Sequence, residues 1–421
     1  MSRMWSCLLC LSGVLAAQGP PDQVTLEQAT KEALEKNLGL LAEKYNVSIA
    51  EARMITARLR PNPVFSAGLD YQNVFGAPFA GDNNIGPSEY NFRTDFILER
   101  GGKRQSRIEV AEGARAVAQL QFLNSTRALV LDVQGAFVDV LLAKENLALA
   151  RENLKSFTGI VEINSVRVRT GDLAQVELVR SRVAALQFQN VVRQAELRLR
   201  LASTRLQTLM GRTALSPTFD AIGDLRREGA RPGVDDLRRQ ALELRPDYLA
   251  LKRDQARSVA DLRLQIAQGK VDYTVGTMFH RQYGSGTVAP GSAMGFFFSA
   301  PLPVFNRNQG EIERARREQQ QIQARIKALE ADIANQVQNA YQQFSTSRDL
   351  LESIEKDMLA QAREVRETTE YSYKRGEASF VEFLDAQRAF NDTIQSYNEA
   401  RAEYARSLYL IDSISGKVVN P

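Results

Sequence analysis

The chain carries one pattern twice, and any fold proposed for it has to accommodate the duplication. Residues 169–179 read RTGDLAQVELV and residues 374–384 read KRGEASFVEFL, which places Gly171 and Gly376 about 205 residues apart, close to half of the 421. The beginnings of the halves agree at a similar offset: ALEKNLGLLA at 33–42 is answered by ALELRPDYLA at 241–250. A chain duplicated in this way builds a pseudo-symmetric body rather than a string of unrelated domains.

Within each half the periodicity changes. A helix-like segment comes first, Leu26 to Leu59 and again Val234 to Gln268, ending at Pro61-Asn62-Pro63 and at Gly269. Period two follows. In Phe65 to Tyr71 the apolar residues alternate with Ser66, Gly68 and Asp70, and in Tyr90 to Phe96 with Asn91, Arg93 and Asp95. A stretch rich in Gly, Pro and Asn, Asn73 to Ser88, reads as an exposed loop between these two strands. The second half repeats the hairpin with Val271 to Phe279, a loop at Tyr283 to Gly291, and Ala293 to Ala300, where Phe296-Phe297-Phe298 blurs the alternation. Strands of about ten residues can cross a bilayer when tilted.

Long helical stretches complete each half. Glu311 to Arg375 contains neither glycine nor proline and would extend ~95 Å. Its apolar residues Ile322, Ile326, Leu329, Ile333, Val337, Ala340 and Phe344 step by three and four, as in a coiled-coil seam. Lys103 to Thr170 is the counterpart, interrupted by Gly113, Gly135 and Gly159, each a modest cost in a helix interior. Both stretches end at the duplicated glycine turn and return, as Asp172 to Met210 and Glu377 to Ser415.

The chain thus divides into a signal peptide at 1–17, a first repeat at 18–210, a connecting segment at 211–233 and a second repeat at 234–421. The first repeat holds a β-hairpin at about 63–97 and an α-hairpin at 102–210 with its tip near 171. The second holds a β-hairpin at about 271–304 and an α-hairpin at 310–415 with its tip near 376. Residues 1–17 pair Arg3 with an apolar stretch and end in Ala16-Ala17, the pattern of a cleaved secretory signal. Both cysteines, Cys7 and Cys10, lie inside it, and Leu9 before Cys10 is not the small residue a lipid-anchor site requires.

The formal charge of +4, from 54 basic and 50 acidic side chains, gives no electrostatic case for nucleic acid. After the signal no apolar run reaches about 18 residues, so a membrane role has to come through strands. Four strands cannot close a barrel, and open sheet edges do not survive in lipid, so the sequence calls for oligomerisation; a trimer would supply twelve strands.

Three motifs in register with the repeat, Gly101-Gly102-Lys103-Arg104, the run PLPVFNRNQG at 301–310, and YKRGE at 373–377 followed by FLDAQ at 383–387, resemble the TolC family of outer-membrane efflux channels, most of all its cation-efflux (CzcC-like) branch. The resemblance spans essentially the whole mature chain. It implies a mainly α fold with a transmembrane β part: a homotrimer whose twelve-stranded barrel, four strands per chain, sits in outer-membrane lipid above a periplasmic α-helical barrel. It implies a passive export duct for small toxic solutes, plausible among them divalent metal cations, gated at its periplasmic tip and working with a periplasmic adaptor protein and an inner-membrane pump of the resistance-nodulation-division class. It implies no cofactor.

Site residues follow from the same resemblance. Glu382 and Asp385, three apart and so on one helix face, match the acidic rings that line the pore constriction; Glu382 stands where the family more often has aspartate. Three copies would set six carboxylates around one opening, favouring cations and divalent block. On spacing alone the pair is an ordinary solvated face. The first tip offers Glu177 and Arg180 at the matching positions, so it makes no equivalent acidic pair. Tyr373 matches a gate tyrosine that ties closed tips together, or else is a tyrosine packed between helices. The family's basic gate partner falls near Ala378, which leaves Lys374 or Arg375 to substitute. Thr170, Gly171, Asp172 and Leu173, with Arg375, Gly376, Glu377 and Ala378, resemble the tip surface that meets the adaptor. The plainer reading is a helix–turn–helix with glycine at positive φ and the acid capping the next helix.

His280, the sole histidine, lies near a loop with Met278 and Met294 around it, too few ligands for a transition-metal site. No catalytic constellation emerges, and the chain reads as a non-enzyme. Two alternatives stay open: a drug-efflux or type I secretion duct of the same fold, and a non-conducting periplasmic coiled-coil scaffold.

Overall fold

A computed structural model describes residues 22–72, 87–228, 233–284 and 288–417. The signal segment with both cysteines, and most of the loop at 73–88, lie outside the described residues.

Each half opens with a pair of helices rather than one. In the first half these are α1 (Leu26–Lys36) and α2 (Leu38–Arg58), separated by Asn37 in an extended conformation. Asn37 Oδ1 accepts from the Leu40 N–H at 3.0 Å, and its Nδ2 donates to the Leu209 carbonyl at 2.9 Å. In the second half α5 (Val234–Leu244) and α6 (Pro246–Gln268) are separated by Arg245. The cause there is Pro246, which excludes the helical region for the residue before it and favours the first helical position.

The hairpins follow as β2 (Val64–Asp70) with β3 (Glu89–Leu98), and β5 (Tyr273–Gln282) with β6 (Gly291–Ser299). They join into one antiparallel sheet in the order β2-β3-β5-β6. Among the described residues its two edges, β2 and β6, are unpaired within the chain.

Below the sheet, α3 (Lys103–Thr170) runs unbroken for 68 residues in spite of its glycines. Gly113 has a packing reason, since a Cβ there would strike Arg257 of α6. From the tip at Gly171 the chain returns beside α3 as α4 (Gln175–Leu209). The counterpart is interrupted: α7 (Gln309–Ser353) passes through a π turn at Ile354–Met358 before α8 (Leu359–Arg375) reaches the second tip and α9 (Phe380–Ile414) returns. The described residues of the connecting segment hold one regular element, β4 (Phe219–Ala221), paired in parallel with β1 (Asp22–Val24).

Two equivalent glycines lock the end of each half onto its own beginning. Gly211 (φ 80) sits against the Lys36–Asn37 backbone, and Gly416 (φ 79) against the Leu244–Arg245 backbone. Neither place has room for a Cβ, and both conformations favour glycine. The main core joins the first of these junctions to the middle of α3, with Ala29, Ala33, Val133, Ala136, Leu206 and Met210 almost fully buried, and a second core joins the other to α7 through Leu237, Ala241, Ile333 and Val337.

Candidate functional site

The sheet has two chemically different faces. One carries Phe65, Phe92 and Phe279 in a stacked row, at centroid distances of 6.3 and 6.5 Å. On this face Tyr90 meets Tyr283 edge to face at one end, and Tyr273 meets Phe298 likewise at the other, each pair at 5.0 Å. An apolar band flanked by aromatic residues is what lipid with two interfaces selects. The opposite face is polar. Asn91 donates to Asp70 and meets Nδ1 of His280 at 2.7 Å, and Arg93 pairs with Asp95 at 2.7 Å. The register resolves the blurred FFF run. Phe296 and Phe298 belong to the apolar face, while Phe297 turns to the polar one, over Gly276 and beneath the Arg93 guanidinium at 3.7 Å. Met278 and Met294 fall on opposite faces by the same register, and among the described residues no three His, Cys, Asp or Glu gather as metal ligands. Among those residues, too, no helix is long and apolar enough to cross a membrane.

At the far end the two tips are built alike. Gly171 (φ 89) and Gly376 (φ 83) end α3 and α8. The N–H of Asp172 donates to the Arg167 carbonyl at 2.8 Å and that of Glu377 to the Ser372 carbonyl at 2.9 Å, the six-to-one bond of a Schellman turn. Thr170, Asp172, Arg375 and Glu377 are exposed, while Leu173 and Ala378 are half-buried. The acids do not cap the returning helices: Thr170 Oγ1 donates to Asp172 at 2.5 Å, and the N-cap of α9 is Ser379. Ser379 and Glu382 form a reciprocal capping box. The Glu382 carboxylate accepts from the Ser379 N–H at 2.7 Å, and Ser379 Oγ accepts from the Glu382 N–H at 3.2 Å. The bonds from the Ser379 backbone and side chain hold the Glu382 carboxyl below the usual glutamate range.

Asp385 is exposed one turn further on, with Arg388 at 3.9 Å. Glu382 and Asp385 share an exposed face. At the first tip Glu177 and Arg180 neutralise each other at 2.8 Å.

Behind the tips lies an aromatic core common to both hairpins. Phe157 stacks on Phe188 at 4.3 Å and lies 5.5 Å from Phe383, which stacks on Tyr373 at 5.3 Å. Tyr373 is 2 % exposed, and burial pushes its phenol above the ordinary tyrosine value. Its hydroxyl donates to Asn164 Oδ1 of α3 at 2.7 Å. Lys374 and Arg375 do not join this network. As helical neighbours of a buried residue they point elsewhere, Lys374 to Glu370 at 2.7 Å and Arg375 over the Tyr371 ring at 4.4 Å. The basic group at this place is Arg167 of α3, whose Nη1 donates to the Tyr373 carbonyl at 3.4 Å and whose guanidinium fills the space a Cβ on Gly376 would need. Further buried amides link α3 to α9: Gln387 to Asn153 at 3.0 Å, and Asn398 to Asn146 at 3.2 Å. Sequence reading missed Asn164, Arg167 and Ser379. The S-x-x-E spacing of 379–382 was a signal for the last; Asn164 carried none beyond a polar residue at a helical core position.

An amphipathic sheet with open edges, continued by two long α-hairpins, is matched by comparison with known proteins. The profile of the outer membrane efflux protein family fits residues 29–212 and 237–417. The chain belongs to the outer membrane efflux protein family. The cobalt-zinc-cadmium resistance protein CzcC of Cupriavidus metallidurans is 25% identical over 402 residues, covering 95% of this chain and 91% of that protein. Among solved structures, the Campylobacter jejuni CmeC outer membrane channel superposes with a TM-score of 0.79 at 13% identity, over 93% of this chain and 85% of the other. CusC does so with a TM-score of 0.76 at 17% identity, over 93% and 92%. The fold is that of the TolC-type outer-membrane channels, one protomer contributing four strands that do not close a barrel alone. The chain is thus an outer-membrane efflux channel protein, from a family of channels and not of enzymes.

Proposed function

We propose that this protein is the passive, homotrimeric outer-membrane duct of a tripartite efflux system, joined at its tips to a periplasmic adaptor and driven by an inner-membrane pump of the resistance-nodulation-division class. The observation that carries this is the four-stranded sheet with one aromatic-banded apolar face and both edges open. Unpaired backbone groups cost several kcal/mol each in lipid, and three copies joined edge to edge remove every one. The exposed acids Glu382 and Asp385 form the pore constriction, Tyr373 with Asn164 holds the tips closed, and residues 170–173 and 375–378 meet the adaptor. Divalent metal cations are the substrate class this reading favours, from the likeness to a cobalt-zinc-cadmium resistance protein and from the carboxylates at the narrow end. A drug-export or type I secretion duct would share the fold and differ in cargo.

The deciding experiment is planar-bilayer conductance of protein purified from outer membranes, with its mass measured in detergent. A trimer passing small, cation-selective currents that divalent ions block is the expected result. A soluble periplasmic monomer would return the chain to the scaffold reading.

A further inference from the structure

The connector that leaves β6 is built as a rigid apolar knuckle that nothing among the described residues of its own chain covers. Pro301 and Pro303 restrict its backbone. The Val304 N–H donates to the Leu302 carbonyl at 2.8 Å, Arg307 Nε to the Pro303 carbonyl at 3.1 Å, and Gln309 Nε2 to the Phe305 carbonyl at 3.1 Å. Asn308 anchors the far side, donating to the Gln265 carbonyl of α6 at 2.8 Å. The backbone is therefore fixed from within, yet Leu302, Val304 and Phe305 are 83%, 64% and 92% exposed. Preorganised apolar side chains left bare are the usual make-up of a docking element, because little ordering entropy remains to be lost on binding.

The internal repeat indicates what covers them. Within one chain the descending strand β3 lies beside the ascending strand β5, so the connector after β3 meets the one before β5. That contact is polar and closed: the Arg100 N–H donates to Asp272 at 2.9 Å, Lys103 pairs with Asp272 at 2.7 Å, and Gly101 lies against Lys270. The descending strand β6 and ascending strand β2 occupy the same places in the repeat, at the two open edges. Pairing β6 with β2 of another copy is antiparallel, and it brings the connector after β6 to the one before β2. The latter, 59–63, offers Leu59, Pro61 and Pro63 beside Arg60 and Asn62 and is held from its own chain: Leu59 is 60% exposed, while Arg104 and Arg107 bond the Arg58 and Leu59 carbonyls at 2.7 and 3.3 Å.

We infer that Leu302, Val304 and Phe305 form an intersubunit clasp on the Leu59–Val64 segment of a second copy of this chain, at the lower rim of the barrel. The internal seam is sealed by charge and the seam between copies by apolar contact. This rests on the trimeric reading above and names the surface that holds the trimer at that level.

The test uses the full-length protein in outer membranes, where the single variants L59C and F305C and the pair L59C/F305C are treated with a short bifunctional maleimide. The pair should give covalent dimers and trimers and each single variant only monomers. A second pair, N62C/L302C, guards against one unfavourable geometry. F305N should shorten the lifetime of the detergent-solubilised trimer by about tenfold or more, the scale for losing one buried aromatic contact. If light scattering gives a trimer and neither pair cross-links, the clasp is wrong while the duct reading stands. F305W would then be quenched by brominated lipid, placing the knuckle in the bilayer interface. If no trimer is found, both fall.

Discussion

Tyr373 and Asn164 lie 209 residues apart in sequence and share one buried hydrogen bond of 2.7 Å, the hydroxyl donating to the amide oxygen. It joins the last turn of α8 to α3, so it exists only while the two hairpins lie together. Asn164 is fully buried and its Nδ2 has no partner among the described residues. Replacing Tyr373 by Phe leaves the amide oxygen unsatisfied as well, at about 1–2 kcal/mol. Y373F is expected to raise the open probability of single channels about tenfold. In Y373F/N164L, where neither polar group remains, thermal stability should recover toward wild type although the tie between hairpins is gone. Stability and gating moving together in both variants would count against a latch.

Glu382 caps α9 and in the proposed duct also lines the constriction, and substitutions separate the two roles. Alanine removes its charge and the capping box together, whereas the amide oxygen introduced by E382Q would still accept from the Ser379 N–H. E382Q should therefore lower cation preference and divalent block with little change in thermal stability, while E382A adds a fall in the thermal midpoint from the lost cap. Unchanged selectivity in E382Q/D385N would put the constriction elsewhere.

The Ser379 bonds also set a pH window. Because they hold the Glu382 carboxyl below its ordinary range, its charge persists as pH falls past the usual glutamate value and is lost only lower. Divalent block titrated from neutral to acid pH should show this, and in S379A, which keeps the backbone bond and loses the side-chain one, the loss should move only part of the way back up.

A second acid-sensitive place lies at the α5–α6 junction. Burial pushes the Asp247 carboxyl up, but hydrogen bonds and charge from Arg245, with charge from Arg127, outweigh it and hold it below the usual aspartate range. Arg245 is 3% exposed and bonds Asp247 at 2.6 Å. A depressed folded value means the stabilisation is present above the unfolded pKa and is lost as pH falls through the folded one, that is, below about pH 4. D247N should destabilise the protein by about 2–4 kcal/mol at neutral pH, since it leaves a buried guanidinium without its carboxylate. Denaturant midpoints should converge with wild type as the pH is lowered past that window.

In the sheet, any side chain at Gly276 would overlap Phe297 and the Thr94 carbonyl. G276A is expected to cost about 1–3 kcal/mol by overpacking. G276A/F297A should restore part of it in thermal unfolding of the detergent-solubilised protein, the remainder belonging to the Thr94 contact.

What could be read from residues alone followed how local each cause is. The repeat, the period-two strands and the glycine tips are fixed within a few residues of themselves. The division at Arg245 was also local, since Pro246 announces it, as was the Ser379–Glu382 box. Asn37 was harder, because its amide is satisfied by Leu209 at the far end of the same half. The Tyr373–Asn164 bond and the reach of Arg167 depend on how one hairpin lies on the other, and no spacing encodes that. Phe297 is the converse case: it breaks the alternation, and its reason sits on two other strands, at Gly276 and Arg93.

The parallel pairing of β1 with β4, together with Gly211 seated on Lys36–Asn37, has a consequence for the order of events during export. The first half's end returns to its own start by residue 221, through backbone contacts that use no residue of the second half. Segments that emerge N-terminus first fold first, so this closure can form while the remainder is still being translocated, and Ala402, Ala405 and Tyr409 of α9 complete its core only when the second half arrives. The first half's two bilayer strands then have to wait for β5, and β6 for another molecule, which makes barrel closure the last step and the one that depends on concentration.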